Sequence, residues 1–157
     1  MVVLGIDPGT AIVGYAVLKK TEDGNTELLK SGAIRPSSKE KEGRLLEIAR
    51  GIRGLIDIHR PDLIALEKIF FSKNIKTALS VAEARGVLLL TAKERSIRVS
   101  EYTPGEVKVA VTGYGKADKR QVKEMVKTIL KLAEAPRLDD IADAMAIALT
   151  AIHTKSF

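Results

Sequence analysis

Val2-Val3-Leu4-Gly5-Ile6-Asp7-Pro8-Gly9-Thr10 is the stretch from which the fold can be read. The run before Asp7 is nearly continuously apolar, and Val2, Val3 and Ile6 are β-branched. That is the composition of a strand covered on both faces. The run then stops at a carboxylate followed by Pro-Gly. Asp before Pro-Gly is a common way to start a turn. The other meaning is an acid at the rim of a sheet, where the sites of α/β folds tend to lie. The segment alone leaves both open.

The next strands are expected over 14–19 and 26–34. Between them Thr21-Glu22-Asp23-Gly24-Asn25 reads as a hairpin turn, with Gly and Asn supplying the unusual backbone angles. The chain therefore opens with a three-strand antiparallel meander. A helix is expected over 39–59, where Leu45, Leu46, Ile48, Ala49, Ile52, Leu55 and Ile56 recur at helical spacing before Pro61. A fourth strand follows over 63–66, a helix over 75–94, and a fifth strand over 97–102. Pro104 opens a short helix ending at Gly113. A basic amphipathic helix (119–132) and an alanine-rich one (140–153) close the chain. These elements predict one α/β domain over 1–157: a mixed five-stranded sheet, the meander plus two parallel strands, with helices on both faces.

Of the 157 residues 45% are hydrophobic and 29% charged, a globular composition. Lys and Arg number 26 against 20 Asp and Glu, a net +6 that suits a polyanionic partner. With no cysteine, disulfide scaffolds, thiolate zinc sites and cysteine nucleophiles are excluded. Two histidines, His59 and His153, argue against a His-rich metal site. No basic leader precedes Asp7, and no apolar run approaches the ~20 residues of a membrane span. A soluble cytoplasmic protein is expected.

Three acidic segments stand out. Glu67 ends the apolar run Leu63-Ile64-Ala65-Leu66, as Asp7 ends the first. A charge there is usually paired or bound to a metal, and Lys68 is the bland partner. Asp139-Asp140-Ile141-Ala142-Asp143 opens a helix apolar on nearly every side, hence buried. Asp140 and Asp143, three apart, share a face. Acids at a helix start also cap it, and Asp139 is the expected cap. Up to four carboxylates thus converge, and without cations they would repel. Mg²⁺ or Mn²⁺ suits such an oxygen set better than zinc. Two such ions about 4 Å apart serve in-line phosphoryl displacement.

Positive charge concentrates between residues 105 and 131, where Lys108, Lys116, Lys119, Arg120, Lys123, Lys127 and Lys131 face three acids. Lys116, Arg120, Lys123 and Lys127 are spaced to form a stripe. The lead-in Thr112-Gly113-Tyr114-Gly115-Lys116 favours close backbone approach to a phosphate. Phe70-Phe71-Ser72-Lys73-Asn74 sets two of six Phe and Tyr residues side by side near Lys68 and Lys73. Aromatic rings on a basic loop stack on unpaired bases. One ring is expected in the core and the other, Phe70, toward a base.

In order along the chain, Gly5-Ile6-Asp7-Pro8-Gly9-Thr10 with Gly14-Tyr15, Leu66-Glu67-Lys68-Ile69-Phe70, Ala84-Arg85-Gly86-Val87 and Asp140-Ile141-Ala142-Asp143-Ala144 resemble the RuvC family of Holliday junction resolvases. Val107-Lys108 and the segment from Gly113 to Lys119 fit as well. The resemblance covers nearly the whole chain. It implies a ribonuclease H-like fold and a homodimer formed mainly through helix 75–94. It implies Mg²⁺-dependent cleavage of four-way DNA junctions by paired symmetric nicks, with a branch-migration motor as partner. The family's acidic ligands fall on Asp7, Glu67, Asp140 and Asp143, which selects Asp140 over Asp139. On the same resemblance Asp7 is expected to bridge two ions. The family's strand-end aromatic falls on Phe70, and its basic residues fall on Lys108 and Lys119, Lys119 near the transferring phosphate. Phe71, Lys73, Lys116, Arg120 and Lys123 complete the expected DNA contacts. The chain closes at Phe157 without the basic tail of some members, which leaves DNA contacts from such a tail open. The alternatives are a YqgF-like nuclease acting on RNA or other DNA, an actin-like or sugar-kinase-like ATPase sharing the Asp-Pro-Gly-Thr loop, and a non-catalytic basic DNA-binding module.

Overall fold

Alternation along two strands explains where everything else packs. In the computed structural model, which describes residues 1–9, 11–68 and 75–154, Val3 of β1 (Val2–Pro8) is buried on one face of the sheet and Leu4 and Ile6 on the other. In β4 (Leu63–Glu67), Leu63 and Ala65 lie on the first face and Ile64 and Leu66 on the second. The side-chain period of two carries that alternation to the strand ends. Asp7 therefore shares its face with Val3, and Glu67 shares the same face with Leu63 and Ala65.

β1 pairs antiparallel with β2 (Val13–Lys20), and β2 with β3 (Thr26–Ile34). On its other side β1 pairs parallel with β4, and β4 with β5 (Arg98–Tyr102). The sheet order is β3-β2-β1-β4-β5. The expected five-strand mixed sheet, with the meander at one side and two parallel strands at the other, is the one observed.

Helices α1 (Lys41–His59) and α2 (Ile75–Glu94) cover the face of Leu4 and Ile6, through Ile48, Ile52 and Ile56 and through Ala84, Leu88 and Ala92. Helices α3 (Pro104–Thr112), α4 (Lys119–Ile129) and α5 (Asp139–His153) cover the other face. α5 is buried from Ala144 through Ile152 because it lies directly on the sheet beneath α3 and α4. Among the described residues no helix is long and apolar enough to cross a membrane.

Several boundaries differ from the sequence reading. β1 continues to Pro8, with Asp7 opposite Gly14 and Pro8 opposite Val13, so Asp7 is a ladder residue and not a turn starter. The tight reversal comes afterwards, where the Gly9 N–H donates to the Asp7 carbonyl at 3.1 Å. α1 begins at Lys41 rather than at 39. The preceding loop is held by the Glu47 carboxylate, which accepts from the Ser37 and Ser38 N–H groups at 2.7 and 2.9 Å. α4 stops at Ile129 rather than near 132, with Lys131 in the left-handed region at φ 51°. Leu138, not Asp139, occupies the N-cap of α5, and no side chain caps it. Asp139 instead faces the Lys123 ammonium at 2.6 Å, a charged partner that a cap bond does not offer.

Candidate active site

Parallel pairing aligns the carboxyl ends of β1 and β4. Gly5 lies beside Ala65 and Ile6 beside Leu66, so one residue further Asp7 and Glu67 emerge together on the α5 side. α5 then delivers its acids from above. It comes this close because two strand positions carry no side chain. A Cβ on Gly5 would overlap the Ala144 carbonyl oxygen and stand 2.7 Å from the Ala148 Cβ. A Cβ on Gly14 would overlap the Asp140 carbonyl and stand 2.9 Å from its Cβ. Either addition pushes the acid-bearing turn of α5 off the sheet.

The four carboxylates share one electrostatic field. Burial, followed by the charges of Asp143, Glu67 and Asp140, pushes the Asp7 carboxyl from 3.8 up to about 7. Lys119 opposes this rise. Glu67 is raised by burial and by Asp143, again against Lys119. Asp143 is also raised: its burial outweighs the nearby Lys119 ammonium. Asp139, on the outer side, is held below its ordinary value by the hydrogen bond and charge of Lys123.

Lys119 is placed by a capping box. The Asp118 side chain accepts from the Gln121 N–H at 2.8 Å, and the Gln121 side chain accepts from the Asp118 N–H at 2.9 Å. This starts α4 at Lys119. Its Nζ lies 3.6 Å from Asp143 Oδ2 and 3.8 Å from Asp139 Oδ2. Asp143 raises the Lys119 pKa. Among the described residues no three acidic or imidazole groups are spaced to clasp an ion as they stand. The acids are gathered at electrostatic range around an ammonium.

The structure thus brings together Asp7, Glu67, Asp140, Asp143 and Lys119. Lys123 joins through Asp139 and so turns away from the basic stripe its spacing suggested. Lys116 and Arg120 are exposed and Lys108 is half-buried, and none of the three makes an ion pair among the described residues. Phe70, Phe71 and Lys73 lie outside the described residues. Sequence reasoning gave no role to Gly5, Gly14 or Arg85. The last donates to the Glu67 carbonyl from α2. Its signal was faint: an arginine beside the buried Ala84 and Leu88 needs an acceptor inside the fold.

Comparison with known proteins agrees with this arrangement. The family profile for crossover junction endodeoxyribonuclease RuvC matches residues 3–151. A crossover junction endodeoxyribonuclease RuvC of Caldicellulosiruptor saccharolyticus is 44% identical over 157 residues, covering 99% of this chain and 95% of the relative. The Thermus thermophilus RuvC structure superposes with a TM-score of 0.89 at 38% identity, covering 97% of this chain and 94% of that one. The same protein solved in complex with Holliday junction substrate gives 0.87 at 35% identity, with the same coverage. The sheet and its helices are accordingly the ribonuclease H-like fold that the sequence led us to expect. A profile match across nearly the whole chain, with relatives of this identity, places it: the chain belongs to the RuvC family of crossover junction endodeoxyribonucleases.

Proposed function

We propose that the acidic cluster hydrolyses phosphodiester bonds at the branch of four-way DNA junctions, using divalent cations held by Asp7, Glu67, Asp140 and Asp143. The observation that carries this reading is the shared field of the four acids, strong enough to push Asp7 to about 7. The donor set fits such ions: it is all oxygen, it is anionic, and its mutual repulsion is relieved by a hard cation. Two Mg²⁺ ions, replaceable by Mn²⁺, are the proposed cofactors. When bound, they supply activation of the attacking water and stabilisation of the leaving oxygen.

The remaining work belongs to the chain. Asp7 is the acid on which all three others act, and so the pivot of the ligand set. Lys119 exchanges its acidic neighbours for the scissile phosphate and offsets charge developing there. Lys108, Lys116 and Arg120 hold the DNA backbone, and Phe70 opens base pairs at the crossover with Phe71 and Lys73 beside it. Paired nicks call for two copies of the site. A homodimer through α2 supplies them, and α2 exposes Leu79 and Leu90 to 60% and 59%. In the cytoplasm a branch-migration motor presents the junction.

The test is incubation of the protein with a mobile four-way junction, a linear duplex and an RNA duplex, each with and without Mg²⁺. Symmetric nicks in the junction alone, and only with Mg²⁺, are expected. Equal cutting of duplex or RNA would replace this reading with a YqgF-like nuclease, and no cutting with a binding module.

A pH dependence follows from the same field. Asp7, Glu67 and Asp143 have folded-state pKa values above their ordinary ones. The metal-free fold therefore binds extra protons at acid pH and loses stability as pH rises from about 4 through about 7. Melting of the metal-free protein is expected to be higher at pH 5 than at pH 8. Each kcal/mol is worth about 2–4 °C at this chain length. Mg²⁺ should raise the pH 8 melting temperature more than the pH 5 value, because it binds the ionised acids. Thermal scans that respond equally at both pH values would contradict the cluster.

A further inference from the structure

Among the described residues the Glu67 carboxylate takes no hydrogen bond, so its place depends on its backbone. Beyond the ladder pairing of β4 with β1 and β5, that strand end is held at two further points. The Lys68 N–H donates to the Tyr102 carbonyl at 2.8 Å, closing the β4–β5 ladder. Arg85 holds the other. Its Nη1 donates to the Glu67 carbonyl at 3.2 Å, and its Nη2 donates to the Glu101 carboxylate of β5. The register sets Glu101 opposite Leu66, next to Glu67's own partner Tyr102. The Arg85 side chain is 15% exposed and that of Glu101 34%, so water competes weakly for the guanidinium. Ala84 and Leu88, buried with Ile64 and Leu66, seat the helix on which Arg85 stands.

We infer that Arg85 is a positioning residue: its guanidinium fixes the carboxyl end of β4 against β5 and α2, and so sets how tightly Glu67 and its neighbours hold a divalent cation. The inference rests on the reading of the four acids as cation ligands. A guanidinium suits the task because its planar fork reaches a carbonyl and a carboxylate at once, whereas an ammonium concentrates its charge at one point. Removing it leaves the Glu67 carbonyl and the Glu101 carboxylate without their donor, and the strand end free to shift. Residues that orient ligands in this way act on metal affinity rather than on substrate binding. Because Arg85 stands on α2, it also ties the proposed dimer helix to an acid of the site.

The experiment compares the wild-type protein with Arg85→Gln, Arg85→Lys, Glu101→Gln and Asp7→Asn. Mn²⁺ binding to the metal-free protein, without DNA, is measured by titration calorimetry. Single-turnover cleavage is followed against Mg²⁺ concentration, and junction binding is measured in EDTA. For Arg85→Gln, Mn²⁺ affinity should fall, and the Mg²⁺ concentration for half-maximal cleavage should rise, each by about 10–100-fold. Junction binding should be unchanged. Arg85→Lys should recover part of the Mn²⁺ affinity by keeping one of the two bonds. Glu101→Gln should give a smaller loss that does not add to that of Arg85→Gln, because the two residues act as a unit. Wild-type Mn²⁺ affinity in Arg85→Gln, while Asp7→Asn loses it, would overturn the role of Arg85 alone. Parallel loss of melting temperature, junction binding and Mn²⁺ affinity, with no recovery of Mn²⁺ affinity in Arg85→Lys, would reduce Arg85 to a structural residue and overturn it too. Undiminished Mn²⁺ binding by Asp7→Asn would instead bring down the ligand assignment.

Discussion

Asp7→Asn is expected to abolish junction cutting while leaving junction binding intact, and to make the metal-free protein more stable at pH 8. The amide keeps the shape of the carboxylate and removes its charge. Cation-assisted hydrolysis draws several kcal/mol from charge stabilisation in the transition state. With a tenfold change in rate for about 1.4 kcal/mol, the loss is roughly a thousandfold or more. Binding should persist because the proposed phosphate contacts come from the basic surface, not from the acids. The gain in stability has a separate origin. At pH 8 the wild-type carboxylate is ionised against its burial and against Asp143, Glu67 and Asp140. Asn carries no charge to be opposed there. Single-turnover cleavage, a gel-shift titration and a thermal scan measure the three effects. A variant that still cuts, or that melts lower than the wild type at pH 8 without metal, would contradict the assignment of Asp7.

Lys119→Met is expected to have the next largest effect, with cleavage falling by about 100–1,000-fold as one charged donor to the developing negative charge is lost. The pH profile separates this role from general disruption. Lys119 lowers the pKa values of Asp7, Glu67 and Asp143. Without it those groups deprotonate at higher pH, so the acid limb of the cleavage profile moves to higher pH. Lys119→Arg keeps the charge and should return the limb to its position while recovering only part of the rate. An acid limb that stays in place in Lys119→Met would show that the ammonium does not act on the carboxylates.

The sheet was legible because its signals are local. The apolar run ending at Asp7, the meander turn around Gly24 and the second apolar run ending at Glu67 each show their class within a few residues, through β-branching, turn chemistry and period-two exposure. The conspicuous acids were legible for the same reason, since a charge at the end of a buried strand violates the pattern around it. Asp139 shows where local reasoning misleads. At a helix start it looks like a cap, yet Leu138 takes that position and Asp139 pairs with Lys123 of another helix. Lys123 illustrates the converse: its spacing suggested a basic stripe, and its partner lies sixteen residues away in sequence.

Composition and pattern alone therefore located the strands, the burial of α5 and an oxygen-only set of candidate acids at Asp7, Glu67 and the start of α5, and the family resemblance chose Asp140 over Asp139 there. The meeting of these acids is a matter of long-range packing. It requires the parallel register that aligns Asp7 with Glu67 and the bare Gly5 and Gly14 that admit α5. The capped start of α4 sets Lys119 against Asp143, and the Arg85 guanidinium donates to the Glu67 carbonyl. A residue's chemistry and the periodicity of its neighbours are written along the chain. Which side chain it meets depends on register and close approach between distant segments, which no local pattern encodes.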